Sequence, residues 1–130
     1  MEIPVTTTLW AKDCIERGLK NNRLDALPLA GAPIQAASGL SARFSASLTS
    51  ACIEELRFQC SSCATLIAYC QALVDLLSPA LEDRPRPPSL AMLIASVEGV
   101  PPYMHDRAAI ALGAYRALYF NLQQKLEHPQ

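Results

Sequence analysis

From Ser47 to Ser78 the chain reads SLTSACIEELRFQCSSCATLIAYCQALVDLLS, and no other segment carries so much apolar side chain uninterrupted by Gly or Pro. At helical spacing Leu48, Cys52, Leu56, Cys60, Cys63, Ile67, Cys70, Val74 and Leu77 fall in steps of four and three, which keeps one stripe on one face. The opposite row, Glu54, Phe58, Ser61, Thr65, Ala68, Ala72 and Asp75, is mostly small, so a neighbouring backbone could approach closely on that side too. A helix apolar on nearly all sides is buried on nearly all sides. The spacing therefore predicts a central helix from about Ser41 to Ser78, closed by Pro79, and an all-α fold: a small helical bundle built on that one long helix. At ~1.5 Å per residue the helix would run ~57 Å, longer than a compact bundle needs, which suggests a break near Ser45–Ser50 or an overhang that pairs with a second copy.

The flanking segments fit around it. Thr6-Thr7-Thr8 offers N-cap hydroxyls to a first helix from Leu9 to Lys20, ended near Asn21-Asn22. The run Leu24 to Leu40, LDALPLAGAPIQAASGL, mixes Pro28, Pro33, Gly31 and Gly39 with large apolar residues. It reads as an extended strap pressed on the bundle or on a partner. Residues 1–40 are thus an N-terminal helix and strap, and 41–130 a helical bundle, in one compact domain overall. After the polar loop Glu82–Pro88, Ser89 caps a short apolar helix, Leu90 to Glu98, ended by Gly99. Pro102 suits the first turn of a last helix reaching about Glu127. Its stripe, Met104, Ala108, Ala111, Tyr115, Leu118 and Leu122, is expected to pack on the central helix.

The chain has 130 residues, 51% hydrophobic and 18% charged, an apolar balance that leaves less charged surface than usual and points to a face covered by a partner. Its 11 basic and 12 acidic residues are spread evenly and give a net charge of −1, so nothing draws in a phosphate backbone and no nucleic acid is expected. Met1-Glu2-Ile3-Pro4 lacks the basic start and apolar run of a secretory signal, which predicts a cytoplasmic, bacterial-type protein. The window Cys60–Leu77 is too polar to span a membrane, with Ser61, Ser62, Thr65, Gln71 and Asp75 inside it.

Candidate chemistry centres on sulfur. Cys52, Cys60, Cys63 and Cys70 would make a row of thiols on one face of the central helix, a set that could hold Cu(I). Yet Cys52 and Cys60 would lie ~12 Å apart along the axis, and free Cys packs well as a small hydrophobe. Core packing is the preferred reading, with no cofactor. Cys60-Ser61-Ser62-Cys63 has dithiol spacing, but redox chemistry wants a cysteine at a helix N-terminus, whereas here the pair is expected mid-helix. His105-Asp106 opens the last helix and finds no second ligand in sequence, and His128 stands near the chain end. Glu54-Glu55 and Glu82-Asp83 diverge by about 100° if helical, so neither pair would face one reacting atom. No Gly-rich phosphate loop or nucleophile elbow is present.

The segment IERGLKNNRLDALPLAGAPI, Ile15 to Ile34, resembles a short conserved domain of bacterial small proteins and of a DnaJ-related family. Ile15, Leu24, Asp25, Leu27, Pro28, Gly31, Pro33 and Ile34 follow its order and spacing. Asn22, Ala26, Leu29 and Ala32 depart from it, and no acidic run follows Ile34. That resemblance implies a chaperone-associated role. Taken together, the reading is a non-enzymatic protein-interaction or regulatory protein that occludes or chaperones a protein partner, as an anti-activator, secretion chaperone or immunity-type inhibitor does, and that forms a homodimer. Trp10, Leu24, Leu27, Leu29 and Ile34 are the candidate partner-binding residues. The alternative is a thiol-based Cu(I)-binding or redox protein that uses the cysteine row.

Overall fold

The computed structural model describes residues 9–50 and 52–127. The fold is mixed α and β, 53% helical and 22% strand, which overturns the all-α helical bundle. The long central helix does not form. Its first half is an antiparallel hairpin of β4 (Ser41–Thr49) and β5 (Cys52–Cys60), and helix begins only with α2 (Ala64–Leu77). The reason lies in the side-chain period. Ala42, Phe44 and Ala46 are buried on one face, with half-buried Leu48 in line, while Ser41, Arg43, Ser45 and Ser47 alternate onto the other. The step of four from Leu56 to Cys60 is a multiple of two as well, so it fits a strand equally, whereas Leu48 and Cys52 fall on different strands. The step of three between buried Ile53 and Leu56 comes from a bulge: Ser47 opposes Glu55 and Leu48 opposes Ile53, which leaves Glu54 as the extra residue. Ser50, with φ of 53°, makes the hairpin turn without a glycine.

The strap belongs to this sheet. β2 (Leu29–Ala30) and β3 (Ile34–Gln35) pair antiparallel with one edge of β4, and β5 holds the other edge. Pro33 interrupts the ladder between them, where an edge strand tolerates it. Gly31 N–H still donates to the Phe44 carbonyl at 2.9 Å. Residues 23–28 then cross the outer, polar face: Leu27 N–H donates to Ser45 Oγ at 2.9 Å, Arg57 to the Asp25 carbonyl at 3.0 Å and Gln59 to the Leu24 carbonyl at 2.9 Å. The first of these bonds gives the fully buried Ser45 on that face a partner. The sheet therefore draws on both sides of residue 40.

The inner face carries the helices. α4 (Asp106–Glu127) and α2 pack on it, and α1 (Ala11–Asn21) packs on α2. Phe44 packs against Phe58 with the rings tilted and 5.9 Å apart and meets Tyr115 of α4 edge-on at 5.9 Å, which ties the two strands to α4. A side chain at Gly18 would strike Ile67 Cγ2 at 2.5 Å, so α1 can approach α2 closely only with glycine there. Beside it Arg17 reaches Asp75 through two nitrogens, at 2.8 and 2.7 Å. Cys14 is fully enclosed in this contact, and burial pushes its thiol up to about 11. Half of the apolar window within Ala64–Asp83 is covered by the rest of the chain.

The last elements depart from expectation in detail. The helix predicted for Leu90–Glu98 ends two residues early: α3 is Leu90–Ser96, and Val97–Glu98 becomes β6. β6 pairs in parallel with β1 (Leu9–Trp10), Leu9 opposite Val97 and Trp10 opposite Glu98, so the first helix starts at Ala11 and not at Leu9. Gly99, at φ of 95°, turns the chain away. The caps expected from Thr6-Thr7-Thr8 lie outside the described residues, as does His128.

Candidate functional site

The proposed partner residues separate into two groups. Leu29 and Ile34 sit in β2 and β3 and pack against the core; Leu27 is half-buried over the outer sheet face, and Leu24 beside it is 41% exposed. Trp10 stands apart from them on β1, 62% exposed. The strap's apolar residues are thus committed mainly to the sheet, and Trp10 is left facing out.

The segment paired with β1 carries further exposed apolar side chains. α3 reads Leu-Ala-Met-Leu-Ile-Ala-Ser, without a charge, and Glu98 is the one charged residue between Pro87 and His105. A helix of this composition belongs in a core. Of its seven residues only Leu93 is buried, while Leu90, Ala91, Met92 and Ala95 are exposed, Met92 by 58%. The helix is nonetheless held firmly. Ser89 Oγ accepts from Met92 N–H at 3.1 Å, Ser96 Oγ donates to the Met92 carbonyl at 2.7 Å, and Leu93 and Val97 anchor it inward. The parallel β1–β6 ladder fixes Trp10 alongside the end of the same segment. Downstream, Tyr103 is 79% exposed. The signal was present in sequence as an uncharged apolar run too short to cross a membrane, but it reads there as a core helix.

The cysteines are dispersed by the hairpin. Cys52 is exposed at one end of β5, Cys60 ends the strand, Cys63 is the N-cap of α2 and Cys70 is buried within α2. The row that a continuous helix would make is gone, and among the described residues no three His, Cys, Asp or Glu side chains converge as a metal site. The same break changes the meaning of Cys60-Ser61-Ser62-Cys63, which lies on a strand-to-helix turn and not mid-helix. That turn is tightly built. Asn22 Nδ2 donates to the Cys60 carbonyl at 3.1 Å while Cys60 N–H donates to Asn22 Oδ1 at 2.7 Å, and Ser61 N–H donates to the Ser41 carbonyl at 2.9 Å. At the start of α4 the Arg107 guanidinium pairs with Asp106 at 2.7 Å; Asp106 first, and Cys63 second, raise the Arg107 pKa. His105 turns elsewhere, its Nε2 3.3 Å from the Val100 carbonyl.

The chain matches no protein-family model and no curated protein. The likeness at Ile15–Ile34 therefore places it in no family.

Proposed function

We propose that this is a binding protein that docks a protein partner on the apolar surface formed by α3 and Trp10, and acts by occluding or chaperoning that partner. One observation carries the reading: α3 is apolar throughout and well capped, yet it buries only Leu93 and exposes Leu90 and Met92, while Trp10, held next to the end of the same segment by the β1–β6 ladder, is exposed as well. Exposed apolar patches of this kind mark interaction sites, and Trp and Met are favoured anchors in them. Burying each such side chain contributes ~1.5–3 kcal/mol. A second copy of this chain is the first partner to test, since a homodimer needs nothing beyond the surface itself.

The experiment uses Trp10→Glu together with Met92→Glu. Light scattering at micromolar concentration is expected to give twice 14.1 kDa for the native chain and 14.1 kDa for the variant. If the native chain is a monomer, both proteins are immobilised side by side and exposed to extract of the native host. The reading then requires a partner held by the native chain and lost from the variant. Identical capture by both, with no self-association, refutes it.

A further inference from the structure

We propose that the outer face of the sheet holds a small oxyanion, the phosphate or carboxylate end of a metabolite, in the pocket around Arg43. The placement follows from the strand register. Arg43 alternates onto the outer face of β4 between Ser41 and Ser45, with Gln59 of β5 directly opposite and Pro33 just ahead of β3 on the other side. Together with Ser61 these residues line an open pocket of about 340 Å³, and no carboxylate is among its lining residues. That volume falls near the lower end of the range for small-molecule sites. The docking surface of α3 and Trp10 contributes nothing to the lining, so the two sites are independent.

The donors of this pocket are unspent. Among the described residues the ion pairs engage Arg17, Arg57 and Arg107, and they leave the half-buried Arg43 without a carboxylate. A guanidinium meets the oxygens of a phosphate or carboxylate with two parallel N–H donors. Ser61 Oγ already accepts the Ser41 N–H at 2.9 Å, and the two hydroxyl oxygens lie 3.5 Å apart. Whichever hydroxyl donates across that gap, the other keeps its hydrogen for a ligand. The Gln59 amide does not compete: its Nε2 donates to the Leu24 carbonyl at 2.9 Å, and its Oε1 is enclosed, out of reach of an entering anion. The walls are also fixed beforehand. Ser61 N–H donates to the Ser41 carbonyl at 2.9 Å, and Asn22 brackets the backbone of Cys60 through both of its amide atoms, at 3.1 and 2.7 Å. A site held in this way has little left to order when it binds.

The isotope-labelled full chain is followed by amide NMR while inorganic phosphate, and separately acetate, is added against chloride at constant ionic strength. A saturable shift confined to residues 41–43 and 59–61 is expected with at least one of the two anions. Tighter binding of phosphate assigns the phosphate end, and tighter binding of acetate the carboxylate end. Arg43→Gln should weaken the binding at least ~10-fold. Arg43→Lys keeps the charge without the fork and should weaken it by less, while Arg116→Gln, exposed on α4, should leave it unchanged. No saturable shift with either anion, shifts that chloride alone reproduces, or equal weakening by Arg43→Gln and Arg116→Gln would each overturn the proposal. If Arg43→Gln does not fold, Arg43→Lys decides by the same comparison.

Discussion

Gly31→Val is expected to remove a large share of the stability of the fold, at least ~3 kcal/mol of a total that for domains of this size is about 5–15 kcal/mol. A Cβ at Gly31 would sit 2.5 Å from the Leu118 nitrogen and 2.7 Å from its Cα, inside the backbone of α4. No rotamer change relieves a clash with main chain, so either the strap leaves the sheet or α4 moves off it. Both losses propagate. The strap gives up the Gly31-to-Phe44 hydrogen bond, and Asn121 of α4 loses the Ala30 carbonyl to which it donates at 3.2 Å. A fall in melting temperature of about 10 °C or more follows from the usual conversion, and Gly31→Ala should move the same way by less. An unchanged melting temperature for Gly31→Val would mean that β2 does not dock on α4.

Phe44→Ala should cost ~3–5 kcal/mol as a large-to-small truncation in a closed core. Phe44 is fully buried at the point where β4, β5 and α4 meet, and its two aromatic contacts at 5.9 Å are lost together. Thermal or urea unfolding reads the effect. Phe120→Ala is the control: Phe120 is on α4 but 61% exposed, and its truncation should stay within about 0.5 kcal/mol. Equal effects from the two would contradict the placement of the core.

The sequence made the C-terminal half legible and the centre illegible for one physical reason. In α4, steps of three and four between Ala108, Ala111, Tyr115, Leu118 and Leu122 have only a helical solution, and all five are buried. From Ser41 to Cys60, Ala, Leu, Glu and Gln carry helical propensity, the step of four from Leu56 to Cys60 fits both periods, and the bulge at Glu54 supplies a helix-like step of three. Pairing with the strap decides the outcome, and that is a tertiary effect no local window holds. The strict alternation of Ala42, Phe44, Ala46 and Leu48 with Ser and Arg was the readable strand signal. The turn at Ser50 lacked the Gly or Asn that marks a hairpin. Exposure was equally hidden: an uncharged α3 looks like core, and only the fold reveals that Leu90 and Met92 are left outside.

Thermal melts of two double variants, run side by side with the native chain, test the division of labour between strap and surface most directly. Leu27→Asp with Leu29→Asp places charges where the strap lies on the sheet, and Trp10→Glu with Met92→Glu places them on the proposed docking surface. The account predicts that the strap variant melts several degrees lower while the surface variant melts with the native chain. A native melting temperature for the strap variant, with a large loss for the surface variant, would contradict it.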